Sequence, residues 1–89
     1  MSNHTLLERM NVAVAALRSG SSDPKAEIAT IEVIANAFEG MPFELTSEFQ
    51  ALISDLNLAY DFVGEGFEGD TVGALDALDQ WLTRVPTNV

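Results

Sequence analysis

Residues 47–63 read SEFQALISDLNLAYDFV, and this stretch decides the fold. Its apolar residues fall at Phe49, Leu52, Ile53, Leu56, Ala59, Tyr60 and Val63. The offsets are i, i+3, i+4, i+7, i+10, i+11 and i+14, an unbroken helical stripe. A rod of this length, about 25 Å at the helical rise, crosses a small domain. A second, shorter stripe of Ala51, Leu58 and Phe62 lies off the first. A helix with two stripes is either central to a bundle or shared with a partner.

Three further helices are expected around it. The first spans about 6–18, with Thr5 and Glu8 at capping-box spacing. Leu7, Met10, Val14 and Leu17 form its apolar face, with Leu6 and Ala13 beside it; Gly20 ends it. Asp23 and Pro24 read as N-cap and first helical residue of a second helix over 24–39. Its stripe is Ile28, Ile31, Ala35 and Phe38, widened by Ile34. Residues 40–46, GMPFELT, form an apolar loop whose Met41 and Phe43 either plug the bundle end or stand exposed as an anchor for a partner; Ser47 and Gln50 then cap the central helix. After Val63 the glycines of GEGFEGD stop the helix. Asp70 or Thr71 caps a fourth helix ending near Val85, with a stripe of Val72, Leu75, Leu78, Leu82 and Val85. Short connections between four amphipathic helices predict an all-α, small antiparallel bundle forming one domain over 1–89.

Composition bounds the function. The chain has 89 residues, 47% of them hydrophobic, which suits a folded domain better than an acidic disordered tail. Fourteen acids against four bases give a net charge of −10. That charge opposes nucleic-acid backbones and anionic membranes and favours basic proteins. Absence of cysteine excludes disulfides and thiolate metal sites. The N-terminal apolar run has no basic residues before it, so it reads as a helix and not a signal peptide. No apolar run reaches the length of a membrane span. A cytoplasmic location is the expectation.

Chemical motifs are sparse. His4 is the only histidine, and no Ser-His-Asp or Cys-His set exists, so no enzyme activity is expected. Residues 61–72 resemble a calcium loop at Asp61, Glu65 and Gly66, but Val63 and Val72 occupy two ligand positions. No metal or cofactor is expected. The segment TVGALDAL, residues 71–78, resembles the closing helix of acyl carrier proteins, as do the size, acidity and helix number. That family carries phosphopantetheine on the serine of an Asp-Ser-Leu at its second helix. The serines here stand in SGSSD, TSE and ISD contexts. Without that serine the resemblance implies no carrier function.

The acids are unevenly divided. Residues 1–42 carry five acids and three bases, a net −2; residues 43–89 carry nine acids and one base, a net −8. Those acids form either a solvated surface that keeps the protein soluble or a negative face that docks onto a basic one. On the second reading the expected function is a non-enzymatic inhibitor that occludes a basic effector, such as a toxin or nuclease, in the manner of an immunity protein or antitoxin. Its expected contact residues are Asp55, Leu58, Asp61, Phe62, Glu65, Phe67, Glu68, Asp70, Asp76 and Asp79. Leu58, Phe62, Phe67 and Trp81 serve as apolar anchors, and the carboxylates steer association. Trp81 reads otherwise as core or interface packing. Asp76 and Asp79 share an exposed helical face with no packing role, so lysine at both should leave folding intact. The alternative function is a helical homodimeric adaptor without a toxin target. A homodimer is expected through Ala51, Leu58 and Phe62.

Overall fold

A computed structural model describes residues 2–20 and 23–87. Four helices follow in order: α1 (Asn3–Ser19), α2 (Pro24–Asn36), α3 (Phe43–Gly64) and α4 (Thr71–Leu82), with no strand among the described residues. The expected all-α bundle is present.

α1 starts earlier than residue 6. Ser2 is its N-cap, and the Ser2 Oγ accepts from the Thr5 backbone N–H at 3.2 Å. Thr5 and Glu8 therefore form no capping box; Glu8 instead stands 3.1 Å from the His4 Nε2. The helix ends where Gly20 takes φ 69, a conformation other residues resist, and donates to the Leu17 carbonyl. Asp23 caps α2 as expected, accepting from the Lys25 N–H, and Pro24 opens the helix.

α2 stops at Asn36, short of residue 39. The Phe38 N–H reaches only the Ala35 carbonyl, tightening the last turn, and its ring swings onto Trp81 at a centroid distance of 6.2 Å. α3 conversely begins at Phe43, four residues before the sequence signal. Pro42 is its N-cap without a side-chain cap, and the Pro42 carbonyl accepts from Leu45 and Thr46. The early start places Leu45 one turn before Phe49 on the buried stripe. Ser47 and Gln50 are thus helical residues and not a cap. Asp70 caps α4 through the Gly73 N–H at 2.9 Å. Beyond Leu82 the chain continues in tight i to i−3 bonds up to Val85, which remains buried.

Each helix packs on its chain neighbours, and α1 closes the ring against α4; the backbones of the diagonal pairs stay apart. The result is two helical hairpins, α1/α2 and α3/α4, laid against each other. Met10, Ile28, Ile31, Leu56 and Leu78 fill the centre. At one end Trp81 lies between Phe38 and Phe49, the latter with a centroid distance of 5.0 Å, and its Nε1 donates to the Leu45 carbonyl at 2.9 Å. Met41 packs there, but Phe43 does not plug the end; it is 83% exposed. Val63 and Val72, both expected on core stripes, are also exposed, and Leu6 replaces Leu7 as the deeper of that pair. Val63 stands in the last turn of α3 and Val72 in the first turn of α4, on either side of the exposed glycine loop, where the stripes run past the core.

Asn3 is the one buried polar side chain among the described residues. Its Nδ2 donates to the Glu39 carbonyl at 2.8 Å and to the Pro86 carbonyl at 2.7 Å, while its Oδ1 accepts from the Glu39 N–H at 2.8 Å. One amide thus ties the start of α1, the α2–α3 connection and the C-terminal segment together. No helix is long and apolar enough to cross a membrane among the described residues.

Candidate partner-binding surface

The bases decide which acids are free. Arg18, at the end of α1, reaches across to α4 and donates to Asp76 Oδ1 at 2.9 Å and Asp79 Oδ2 at 2.5 Å. The bond to Asp79, then that to Asp76, raises the guanidinium pKa further above its already high value. Lys25 Nζ on α2 lies 2.6 Å from Asp61 Oδ1 on α3 and 3.2 Å from Asn57 Oδ1. Arg84 grips Glu48 with both terminal nitrogens, at 2.6 and 2.9 Å. Three of the four bases therefore clasp one helix or its flank to another.

These pairs correct the expected surface. Asp61, Asp76 and Asp79 are partly neutralised at home and do not form a free acidic face. Asp76 and Asp79 do have a structural partner, so lysine at both positions would set three cations together and loosen the α1–α4 contact. The pairs are solvent-exposed and screened, so they orient helices more than they stabilise them. Trp81 is only 2% exposed and is unavailable as an anchor.

The Arg84 hydrogen bonds hold the Glu48 carboxyl below the usual glutamate range. A carboxyl lowered in the folded state favours folding above its unfolded pKa, and that contribution disappears as pH falls through the folded value. Glu48→Gln is therefore expected to narrow the stability gap from wild type as pH falls from neutrality to below about 4. Urea midpoints for both proteins across that range measure it; a gap independent of pH refutes the role of the pair.

The remaining residues converge on one feature. A groove of about 360 Å³ runs between α3 and α4. Leu52, Leu58, Ala59 and Phe62 line it from α3, and Gly73, Ala74 and Ala77 from α4. Asp55 and Asp70 stand in the same lining, and no base does. Leu58 and Phe62 are 53% and 42% exposed. They sit one turn apart, above one another on the helix. The floor exists because α4 turns its leucines and Trp81 inward and leaves small residues toward α3's outer stripe. Asp70 has two roles, as helix cap and as groove carboxylate.

The glycine loop is pressed against the end of this groove. A side chain on Gly69 would collide with the Ala59 carbonyl, so only glycine permits that approach. The Phe67 N–H donates to the Phe62 carbonyl at 2.8 Å, closing the turn after α3. Phe67, Glu65 and Glu68 lie on this loop, exposed but outside the groove lining. Asp55, Glu65 and Glu68 make no ion pair among the described residues.

Of the expected contact residues the groove brings together Asp55, Leu58, Phe62 and Asp70; its α4 wall was not among them. Its signal is the small-residue spacing of Gly73, Ala74 and Ala77, opposite the leucine stripe. Asp61 belongs to α3, where Lys25 holds it, and the described residues contain no group of three or more potential metal ligands. Comparison with protein-family models, with curated proteins and with solved structures found no match to this chain.

Proposed function

We propose that this chain is a non-catalytic inhibitor that binds a basic protein through the α3/α4 groove and occludes the partner's working surface. The observation that carries this reading is an apolar floor flanked by Asp55 and Asp70, with no base in the lining. A short amphipathic helix rich in Lys and Arg fits that chemistry. Its apolar face would cover Leu58, Phe62 and Ala77, and its cations would meet Asp55 and Asp70. Glu65 and Glu68 extend the negative field beyond the groove end and steer the approach. Nuclease-type effectors present such cations where they hold phosphates, so covering them removes activity without any chemistry by the inhibitor.

Leu58→Glu tests the reading. The side chain is half exposed and outside the core, so the helical circular dichroism spectrum should be unchanged. Affinity capture from host lysate should retain a basic protein on the wild type and lose it on the variant. The association rate of the captured protein should fall as salt rises. Capture that survives Leu58→Glu and ignores salt overturns the proposal and favours the adaptor alternative.

A further inference from the structure

The opposite hairpin carries a second and larger depression, of about 610 Å³, between α1 and α2. Val12 and Ala13 line it from α1, Val33 and Ile34 from α2, and Arg9 and Glu27 stand in the same lining. Val12 and Val33 are each 70% exposed. Both lie off the buried stripes, and nothing among the described residues covers them. The surface is open and shallow, which suits another protein surface better than an enclosed small molecule.

Its charge differs from that of the α3/α4 groove. Arg9 is the one base that makes no ion pair among the described residues, and Glu27 makes none either. One acid and one base leave the lining of this depression neutral on a chain of net charge −10. The start of α1 meets the chain just after α2 through the Asn3–Glu39 hydrogen bonds, so the two packed helices run antiparallel. Arg9 lies in the second turn of α1 and Glu27 in the first turn of α2, so they mark opposite ends of the depression. A twofold axis through its middle exchanges those ends. Each Arg9 then meets the Glu27 of a second copy, and Val12 and Val33 pack across the axis.

We propose that the α1/α2 face binds a second copy of this chain, forming a twofold homodimer. Two observations select this occupant over an unrelated protein: the lining of the depression is self-complementary in charge, and it is neutral. Pairing through the α3/α4 groove would instead set Asp55 and Asp70 against their own counterparts, a repulsive arrangement. The dimer interface therefore lies away from Leu58 and Phe62. With α1/α2 joined, both α3/α4 grooves face outward, and the assembly presents two of them at once. The dimer does not depend on the inhibitor reading, because it uses no residue of that groove.

The experiment is sedimentation equilibrium of the full chain from micromolar to millimolar concentration, at about 0.15 M salt to screen the net charge. The wild type should fit a monomer–dimer equilibrium. Val33→Glu should weaken the dimer by more than about tenfold, since symmetry places the change in the interface twice. Leu58→Glu should leave it intact. The sharper test uses Arg9→Glu and Glu27→Arg separately. Each variant alone opposes like charges at both ends and should be monomeric. Mixed one to one, the two variants restore both ion pairs and should form a heterodimer. Arg9, Val33 and Leu58 are exposed and Glu27 is partly buried, and circular dichroism checks that each variant is folded. A wild type that stays monomeric, a dimer lost with Leu58→Glu but kept with Val33→Glu, or a mixture that stays monomeric overturns the proposal.

Discussion

Trp81→Ala is expected to lower the thermal midpoint by about 15–30 °C, the largest effect of any single substitution considered. The ring is buried between Phe38 and Phe49, on the last turn of α4, and its N–H satisfies the Leu45 carbonyl at the start of α3. Truncation removes the transfer free energy of the indole and leaves a cavity that α2, α3 and α4 cannot all close, a loss of about 3–5 kcal/mol. A domain this size has about 4–13 kcal/mol in total. Each kcal/mol moves the midpoint by about 4–8 °C. Trp81→Phe separates packing from hydrogen bonding. It keeps an aromatic ring against Phe49 and loses the bond to Leu45, a cost of about 1–2 kcal/mol. Thermal melts followed by circular dichroism measure both. A Trp81→Ala midpoint within a few degrees of wild type would show that the aromatic cluster does not hold this end of the bundle.

The second large effect is expected at Asn3. Asn3→Ala removes two donated bonds and one accepted bond at the junction of α1, the α2–α3 connection and the C-terminal segment. The expected cost is about 2–3 kcal/mol, because the backbone groups left behind are only partly reachable by water. Asn3→Asp has nearly the same shape but opposite consequences at its two oxygens. The new carboxylate can still accept from the Glu39 N–H, but it has nothing to donate to the Glu39 and Pro86 carbonyls and places a charge against them. Burial beside two carbonyls raises its folded pKa above the unfolded value of about 3.9. The neutral acid is then the form the fold prefers. The penalty is full above the raised folded pKa and shrinks as pH falls through it toward the unfolded value. Urea unfolding of variant and wild type at neutral pH and near pH 4 should show a gap that narrows in acid. A gap that stays constant with pH would mean that the carboxylate has turned out to solvent and the clamp is dispensable.

Much of this fold is legible in the chain itself. Asp23 and Pro24 place the start of α2, and Gly20 the end of α1, because caps and turns depend on a few adjacent backbone groups. The stripe through Phe49, Ile53, Leu56 and Ala59 identifies the buried face of α3, since periodicity follows from helix geometry alone. Leu75, Leu78 and Leu82 do the same for α4. The apolar half of the α3/α4 groove was also readable, as the second stripe that includes Leu58 and Phe62.

Where local signals compete, the outcome belongs to packing. Ser47 and Gln50 offer a sound cap, yet α3 begins at Phe43 because Leu45 is needed beneath Trp81, and Trp81 lies 36 residues away in sequence. Phe38 leaves the helical register for the same ring. Asp76 and Asp79 read as a free acidic face because nothing in their neighbourhood of the chain announces Arg18, which is 58 and 61 residues distant. The same holds for Lys25 with Asp61 and for the pairing of small α4 residues with Leu58 and Phe62. Helix periodicity and capping involve neighbours within about one turn, so the sequence alone determined four helices, their buried stripes and the acidic balance. Which acids are left unpaired, and which apolar residues share a groove, depends on distances between helices, and those distances were decided only when the two hairpins packed.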